Sequence, residues 1–237
     1  MSQHTLAKIG FFHFGEESQS NPVGSLRDSL EKSPHSERLD DCLLVLPEAF
    51  NIRNGYEMPG KRIDVGIAQS LKELSASFKV GFVAGLIEES DGEGPHSSAY
   101  LIDGDVCERL SRKMQDDQSG NYKISGNCDS PCLHRGVYVA ALICVDAAAF
   151  NVNCQSERHK ALLERLDTCG TVPKLICVPA HFKEWDTRGV ALAWPSRVSV
   201  VIANSWPHQA SVIRRMDTEP ICVTGWHNAI RVAAFAS

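Results

Sequence analysis

The run GVYVAALICV, residues 136–145, is the most apolar strand-like segment of the chain. Its hydrophobicity is close to continuous, where a strand with one wet face would alternate apolar and polar residues. A strand of this kind is covered on both faces, so the sheet that contains it needs a layer on each side. The segment also ends in an unusual way. A cysteine closes it, an aspartate follows two residues on, and three alanines come next (ALICVDAAAF, 141–150).

Other segments of the chain share its character. KIGFFHF (8–14), DCLLVLPEAF (41–50, broken by Pro47), KVGFVAGLI (79–87), VPKLICVPA (172–180) and SRVSVVIANS (196–205) read as strands. Between them lie helical patterns. Val23, Leu26 and Leu30 share a face over 23–33, Ile63, Ile67, Leu71, Leu74 and Phe78 do so over 62–78, and SERHKALLERL (156–166) forms a third. The stretch 97–113 reads as a hairpin turning at Asp103-Gly104, and ASVIRRMD and PICVTGW as closing hairpin strands. Strands alternating with helices predict an α/β fold, while the hairpins speak against a purely parallel sheet. Residues 114–135, rich in Asp, Gly, Asn, Ser and Cys, read as a long loop.

The bulk numbers exclude several classes. The chain has 237 residues, 22% of them charged, with a net charge of −5. This gives no basic footprint for nucleic acid or an anionic membrane. No apolar stretch is long enough to span a bilayer. The start, MSQHTLAKIGFFHFG, lacks the basic region and apolar core of a signal peptide. Nine scattered cysteines, at 42, 107, 128, 132, 144, 154, 169, 177 and 222, are odd in number, and several sit in apolar runs. They read as reduced thiols in a cytoplasmic protein. The sequence shows neither an internal repeat nor a linker.

Three chemically capable residues follow buried segments: Glu48 after LLVLP, Lys113 after the hairpin, and Cys144 after VAALI. A sheet holds such residues rigidly while the next loop exposes them. A thiol needs activation at neutral pH. A carboxylate can take its proton and return it to a leaving amine, and an ammonium can stabilise the oxyanion of a tetrahedral intermediate. A short helix starting near Asp146, with Asp146 as its cap, would favour the thiolate. In CDSPCLH, Cys128, Cys132 and His134 are spaced nearly as structural zinc ligands are, but a fourth ligand is missing, so no metal is expected there.

LLVLPEAF, then GFVAGLIEE with SSAYLIDGD and LSRK, then VYVAALICVDAAAF, resemble in order the three catalytic motifs of the nitrilase superfamily of carbon–nitrogen hydrolases. LICVPA and VVIANSW resemble strands of the same family, so the similarity covers nearly the whole chain. The resemblance implies one domain over 1–237, folded as a four-layer α-β-β-α sandwich. It implies Glu48 as general base, Lys113 as the oxyanion-stabilising cation and Cys144 as nucleophile, with a thioester intermediate and neither metal nor organic cofactor. It implies a small amide substrate, or alternatively a nitrile or carbamoyl compound, and a homodimer or higher homo-oligomer. Phe50, Asn51, Val145, His181 and Asn204 are the candidates for substrate contacts, with Trp185 beside them. The chain departs from the family pattern in having no glutamate between Lys113 and Cys144, where Asp116 or Asp117 could substitute. That departure keeps in view a binding protein on the same scaffold that no longer catalyses.

Overall fold

The computed structural model describes residues 5–14, 20–32, 39–53, 62–63, 66–88, 95–114, 131–148, 157–206, 208–225 and 227–235. Its elements, in chain order, are β1 (Lys8–His13), α1 (Pro22–Lys32), β2 (Cys42–Val45), β3 (Ile52–Arg53), β4 (Arg62–Ile63), α2 (Ile67–Phe78), β5 (Val80–Glu88), β6 (His96–Asp103), β7 (Val106–Arg112), β8 (Cys132–His134), β9 (Val137–Ala141), α3 (Val145–Ala148), α4 (Glu157–Thr168), β10 (Lys174–Ala180), α5 (Thr187–Ala193), β11 (Ser199–Asn204), β12 (Ser211–Arg214), β13 (Ile221–Val223) and β14 (Ala229–Ala234).

The strands form two six-stranded mixed sheets, ordered β14-β1-β2-β5-β6-β7 and β13-β12-β11-β10-β9-β8, with β3 and β4 as a separate ribbon. The period of two along each strand decides what each face covers. In the first sheet Ile9, Phe11, Leu43, Val45, Val83, Ala99 and Leu101 point to the second sheet and join its core. Phe12, Cys42, Leu44, Phe82, Ala84 and Ile102 point the other way, against Leu26 and Leu30 of α1 and Leu71 and Leu74 of α2. Leu162, Leu163 and Leu166 of α4 and Val190 and Ala191 of α5 belong to the core of the second sheet. The result is the expected α-β-β-α layering, with every strand of the central pairs apolar on both faces.

Several local details differ from the sequence expectation. Ile63 fits the helical spacing of 62–78, yet it pairs with Ile52 in the β3–β4 ribbon, and α2 begins only at Ile67. The long loop expected over 114–135 contains β8, which pairs antiparallel with β9. Three elements have no counterpart in the sequence reading. They are β3, α5, whose first turn is capped by the Asp186 carboxylate accepting from the Arg188 amide at 3.1 Å, and β14, which closes the first sheet on β1. The hairpin turn lands where expected, with Gly104 at φ +57°. Among the described residues, no helix is long and apolar enough to cross a membrane.

Candidate active site

Regular pairing of β9 with β10 ends at Ala141, short of the cysteine. The parallel hydrogen-bond pattern nevertheless continues. The Leu142 amide donates to the Cys177 carbonyl at 3.0 Å and the Cys144 amide to the Pro179 carbonyl at 2.9 Å. The sheet therefore carries the chain as far as Cys144, where φ turns to +49°. A left-handed conformation at a residue other than glycine costs on the order of 1–3 kcal/mol and persists only where surrounding contacts enforce it. Here the turn is fixed on its far side by the Asp146 amide donating to Ile143 (3.0 Å) and the Ala147 amide donating to Cys144 (2.9 Å), and α3 begins at Val145.

Glu48 is placed by a second turn of the same kind. It follows Pro47 at the end of β2, and the next residue, Ala49, has φ +56°. The Phe50 amide then donates to the Gly85 carbonyl at 2.8 Å, anchoring the turn on β5. Gly85 has to be a glycine. A Cβ there would stand 2.7 Å from the Glu48 Cα, 2.7 Å from the Pro179 Cβ and 3.0 Å from the Pro47 carbonyl oxygen. Lys113 directly follows β7, and its amide extends the ladder to the Ser97 carbonyl at 2.8 Å.

These three positions converge. The Lys113 ammonium donates to Glu48 Oε1 at 2.8 Å, and the Ser97 hydroxyl donates to the same oxygen at 2.9 Å. Ser97 thus fixes both partners, Lys113 through its carbonyl and Glu48 through its hydroxyl. All three groups are buried, with Glu48 at 2%, Lys113 at 3% and Cys144 at 7% exposure. The second carboxylate oxygen, Glu48 Oε2, accepts no hydrogen bond from a nitrogen or oxygen donor among the described residues. Glu48 and the backbone N–H of His181 are both close enough to the Cys144 thiol to act on its pKa, Glu48 through its charge and a hydrogen bond and His181 through a hydrogen bond.

The electrostatics favour a neutral thiol at rest. Burial pushes the Cys144 pKa well above the usual cysteine range, and the negative charge and hydrogen bond of Glu48 push the same way. Lys113 and the His181 N–H act in the opposite direction and are outweighed. The helix-start effect expected at Asp146 does not overcome this burial. Asp146 lies inside α3, where its Oδ2 accepts the Met114 amide at 2.8 Å and its carbonyl accepts from His159 Nε2 at 2.5 Å.

The remaining candidates divide by what their side chains already hold. Phe50 packs edge-on to Phe12 and Phe14, at 6.3 and 5.8 Å between ring centres, in the core between the first sheet and its helices. The Asn51 amide is committed to Ile87, accepting from its N–H at 2.7 Å and donating to its carbonyl at 2.8 Å. The Asn204 amide is committed in the same way to Phe182, at 2.8 and 3.2 Å. Val145 is half-buried beside the cysteine. His181 is held by Ser205, whose Oγ lies 2.6 Å from its Nδ1, and packs on Trp206. Trp185 is exposed. Ser97, Gly85 and the His181 amide escaped the sequence reading. An inward-facing serine two residues from inward Ala99 was the available signal for Ser97.

Asp116, Asp117 and Cys128 lie outside the described residues. Of the zinc-like motif, Cys132 donates its thiol to Glu108 at 3.6 Å and His134 Nε2 lies 3.2 Å from Asp103. Among the described residues no group of three or more His, Cys, Asp or Glu side chains is arranged to hold a metal ion.

No protein-family model and no curated protein sequence matches this chain. Solved structures do. A double mutant of the amidase from Nesterenkonia sp. AN1, in complex with acrylamide, aligns with TM-score 0.69 over 99% of this chain and 92% of that one, at 15% identity. A single mutant of the same amidase, showing Michael addition of acrylamide at its active-site cysteine, gives 0.68 over 95% and 92% at 16% identity. A third form, described as an amidase from the nitrilase superfamily, gives 0.67 over 98% and 91% at 15% identity. The chain therefore shares the fold of this amidase, which is described as one from the nitrilase superfamily. At these identities the likeness is one of fold.

Proposed function

We propose that this protein hydrolyses non-peptide carbon–nitrogen bonds and acts as an amidase on a small amide. The observation that supports this most is the convergence of Lys113, Glu48 and Cys144, from three different strand ends, in one buried site. The fold is one that solved amidases share.

The geometry supports the following roles. The thiol is neutral and faces a carboxylate, so attack on the amide carbon and transfer of the thiol proton to Glu48 proceed together. The Lys113 ammonium, fixed on Glu48 and desolvated, stabilises the negative charge that develops on the amide oxygen. As the tetrahedral intermediate collapses, the carbon–nitrogen bond breaks and Glu48 returns the proton to the departing amine, leaving an acyl thioester on Cys144. Water then attacks the thioester, gives its proton to Glu48 and releases the acid, and the thiol recovers its proton. A nitrile or carbamoyl substrate would share the first attack.

The test uses one small electrophile and a panel of small amides on the intact protein. In variant forms of the Nesterenkonia amidase, the active-site cysteine adds acrylamide and the acetamide moiety of fluoroacetamide. Peptide mass spectrometry after incubation with fluoroacetamide should place the added acetamide on Cys144, and a panel of small amides should include one that releases ammonia. Modification of other cysteines with Cys144 untouched, and no ammonia from any amide, would instead favour a binding protein on this scaffold. The missing glutamate between Lys113 and Cys144 is the feature that reading rests on.

A further inference from the structure

A chain of buried polar groups runs from β1 across the sheet–sheet interface to the backbone beside the nucleophile. His13, the last residue of β1, is fully buried and shares the inward face of Ile9 and Phe11. Its Nε2 lies 2.9 Å from the Gly225 carbonyl, which can only accept, so Nε2 carries the proton. Its Nδ1 is then a bare acceptor, 2.9 Å from the Ser211 hydroxyl on β12. Ser211 Oγ in turn accepts the backbone N–H of Asn204 at 2.9 Å. The Asn204 side chain grips Phe182 at both its N–H and its carbonyl, and Phe182 is the neighbour of His181, whose backbone N–H is among the groups that lower the Cys144 pKa. The Gly225 carbonyl, which can only accept, sets the direction of the His13–Ser211 bond, and the Asn204 carbonyl, 3.5 Å from the Ser211 hydroxyl, is a second acceptor for it.

We propose that His13 is a positioning residue for the nucleophile, acting through Ser211 and Asn204 to hold the His181 N–H against Cys144. The proposal rests on the reading of Cys144 as the nucleophile. When the thiol loses its proton, the sulfur becomes an anion in a buried site, and a fixed amide donor is worth more there than one that can drift away. Neutral His13 is suited to this task because it must accept from Ser211 and donate to Gly225 at once. Asn204 sits at the end of β11 opposite Ala180 of β10, and the bond from its backbone N–H to Ser211 is the contact that ties this strand end to His13.

Two substitutions separate positioning from mere support. An asparagine amide oxygen falls near the place of a histidine Nδ1, whereas a glutamine amide nitrogen falls near that of Nε2. His13→Asn therefore keeps the acceptor for Ser211 and gives up Gly225, while His13→Gln keeps Gly225 and gives up Ser211. Each loses one buried bond, so a purely structural role predicts equal damage. The measurements are the rate of Cys144 alkylation by iodoacetamide at mildly alkaline pH and the hydrogen exchange of peptides covering 181–182, with melting temperature as the control for folding. His13→Gln and Ser211→Ala should alkylate about tenfold more slowly, as expected for a weakened hydrogen bond to a charged group, with faster exchange at 181–182. His13→Asn should stay within about twofold of the unaltered protein. Equal slowing in His13→Asn and His13→Gln, or unchanged exchange at 181–182 in Ser211→Ala, would overturn the proposal. Neither measurement needs turnover, so failure to hydrolyse any amide would count against the proposed function and leave this comparison readable.

Discussion

Asp146 Oδ2 accepts the backbone N–H of Met114 at 2.8 Å. The bond joins the residue after the lysine to the second residue after the cysteine, and so links directly the two segments that carry them. Asp146→Ala would leave the buried Met114 N–H without this acceptor, which costs about 1–3 kcal/mol. Asp146→Asn retains an oxygen at the same place. Denaturant unfolding should show the alanine variant destabilised by that amount and the asparagine variant by less. Acylation of Cys144 should fall in the same order, and equal behaviour of the two variants would mean that the bond does not matter.

The Lys113–Glu48 pair gives asymmetric expectations. Both side chains are almost fully buried, 4% and 0% exposed. Lys113→Ala leaves a buried carboxylate without its cation and should cost about 3–5 kcal/mol. Glu48→Gln keeps an oxygen for the Lys113 and Ser97 donors but cannot take a proton. Its loss should appear mainly in acylation, by about 10²–10⁴-fold. Unfolding curves and single-turnover acylation distinguish the two, and full activity in Glu48→Gln would remove it from the mechanism.

The sequence carried the site residues better than the contacts around them, and the reason is physical. Glu48, Lys113 and Cys144 each stand where an apolar run stops, and a run of that kind is visible locally. Ser97 matters because β6 pairs with β7 in a register that places its carbonyl on Lys113 and its hydroxyl on Glu48, and no local pattern announces such a register. Phe50 and Asn51 are candidates only through their nearness in sequence to Glu48. The left-handed turn at Ala49 sends Phe50 into the outer core and Asn51 onto the backbone of Ile87. The helix begins at Ile67 and not at 62 because Ile63, which satisfies a period of 3.6 residues, pairs in the β3–β4 ribbon, and Gly66 separates the two. β14 is legible only once β1 is known to lack a partner on that edge.

Gly85→Ala tests the packing beneath Glu48. The added methyl has no room between the Glu48 backbone and Pro179. Overpacking of this kind costs about 1–3 kcal/mol. Because the displaced atoms carry the Glu48 carboxylate, kcat should fall more than the loss of stability alone would explain, with KM less affected. A variant that is destabilised but retains normal turnover would show that the Glu48 turn can shift without harm.

The acid stability of the fold should depend on Asp103. Burial by itself would raise the pKa of this carboxyl. The hydrogen bonds and charges of His134 and Arg135 outweigh burial and hold it below the usual carboxylate range. Arg135 grips it through two nitrogens at 2.8 and 2.7 Å, tying the β8–β9 turn of the second sheet to the β6–β7 turn of the first. A carboxylate whose pKa is depressed by folding contributes stability above its unfolded value, about 3.9, and that contribution is lost as pH falls toward the folded value. Asp103→Asn should therefore be less stable than the unaltered protein at neutral pH. The gap should narrow below about pH 4, as protonation removes the charge from the unaltered protein as well. A gap independent of pH would mean that the ion pair contributes through shape alone.

Cys144 should differ from an exposed activated thiol in its response to pH. Its pKa is raised first by burial and then by the Glu48 charge, so the anion is scarce at neutral pH and scarcer in mild acid. Alkylation of Cys144 by iodoacetamide should be slow in mild acid and climb through the alkaline range without reaching a plateau before the protein unfolds. Lys113 is among the groups that lower this pKa, so Lys113→Ala should slow the labelling further at every pH. Glu48→Gln removes a raising charge and should speed it, although the same change slows acylation by substrate. Opposite effects on alkylation and acylation are what a general base predicts. It hinders formation of a free thiolate, yet it takes the proton at the moment of attack. If Cys144 instead labels rapidly in mild acid with an early plateau, the resting state is a thiolate, and Glu48 is not needed to remove its proton.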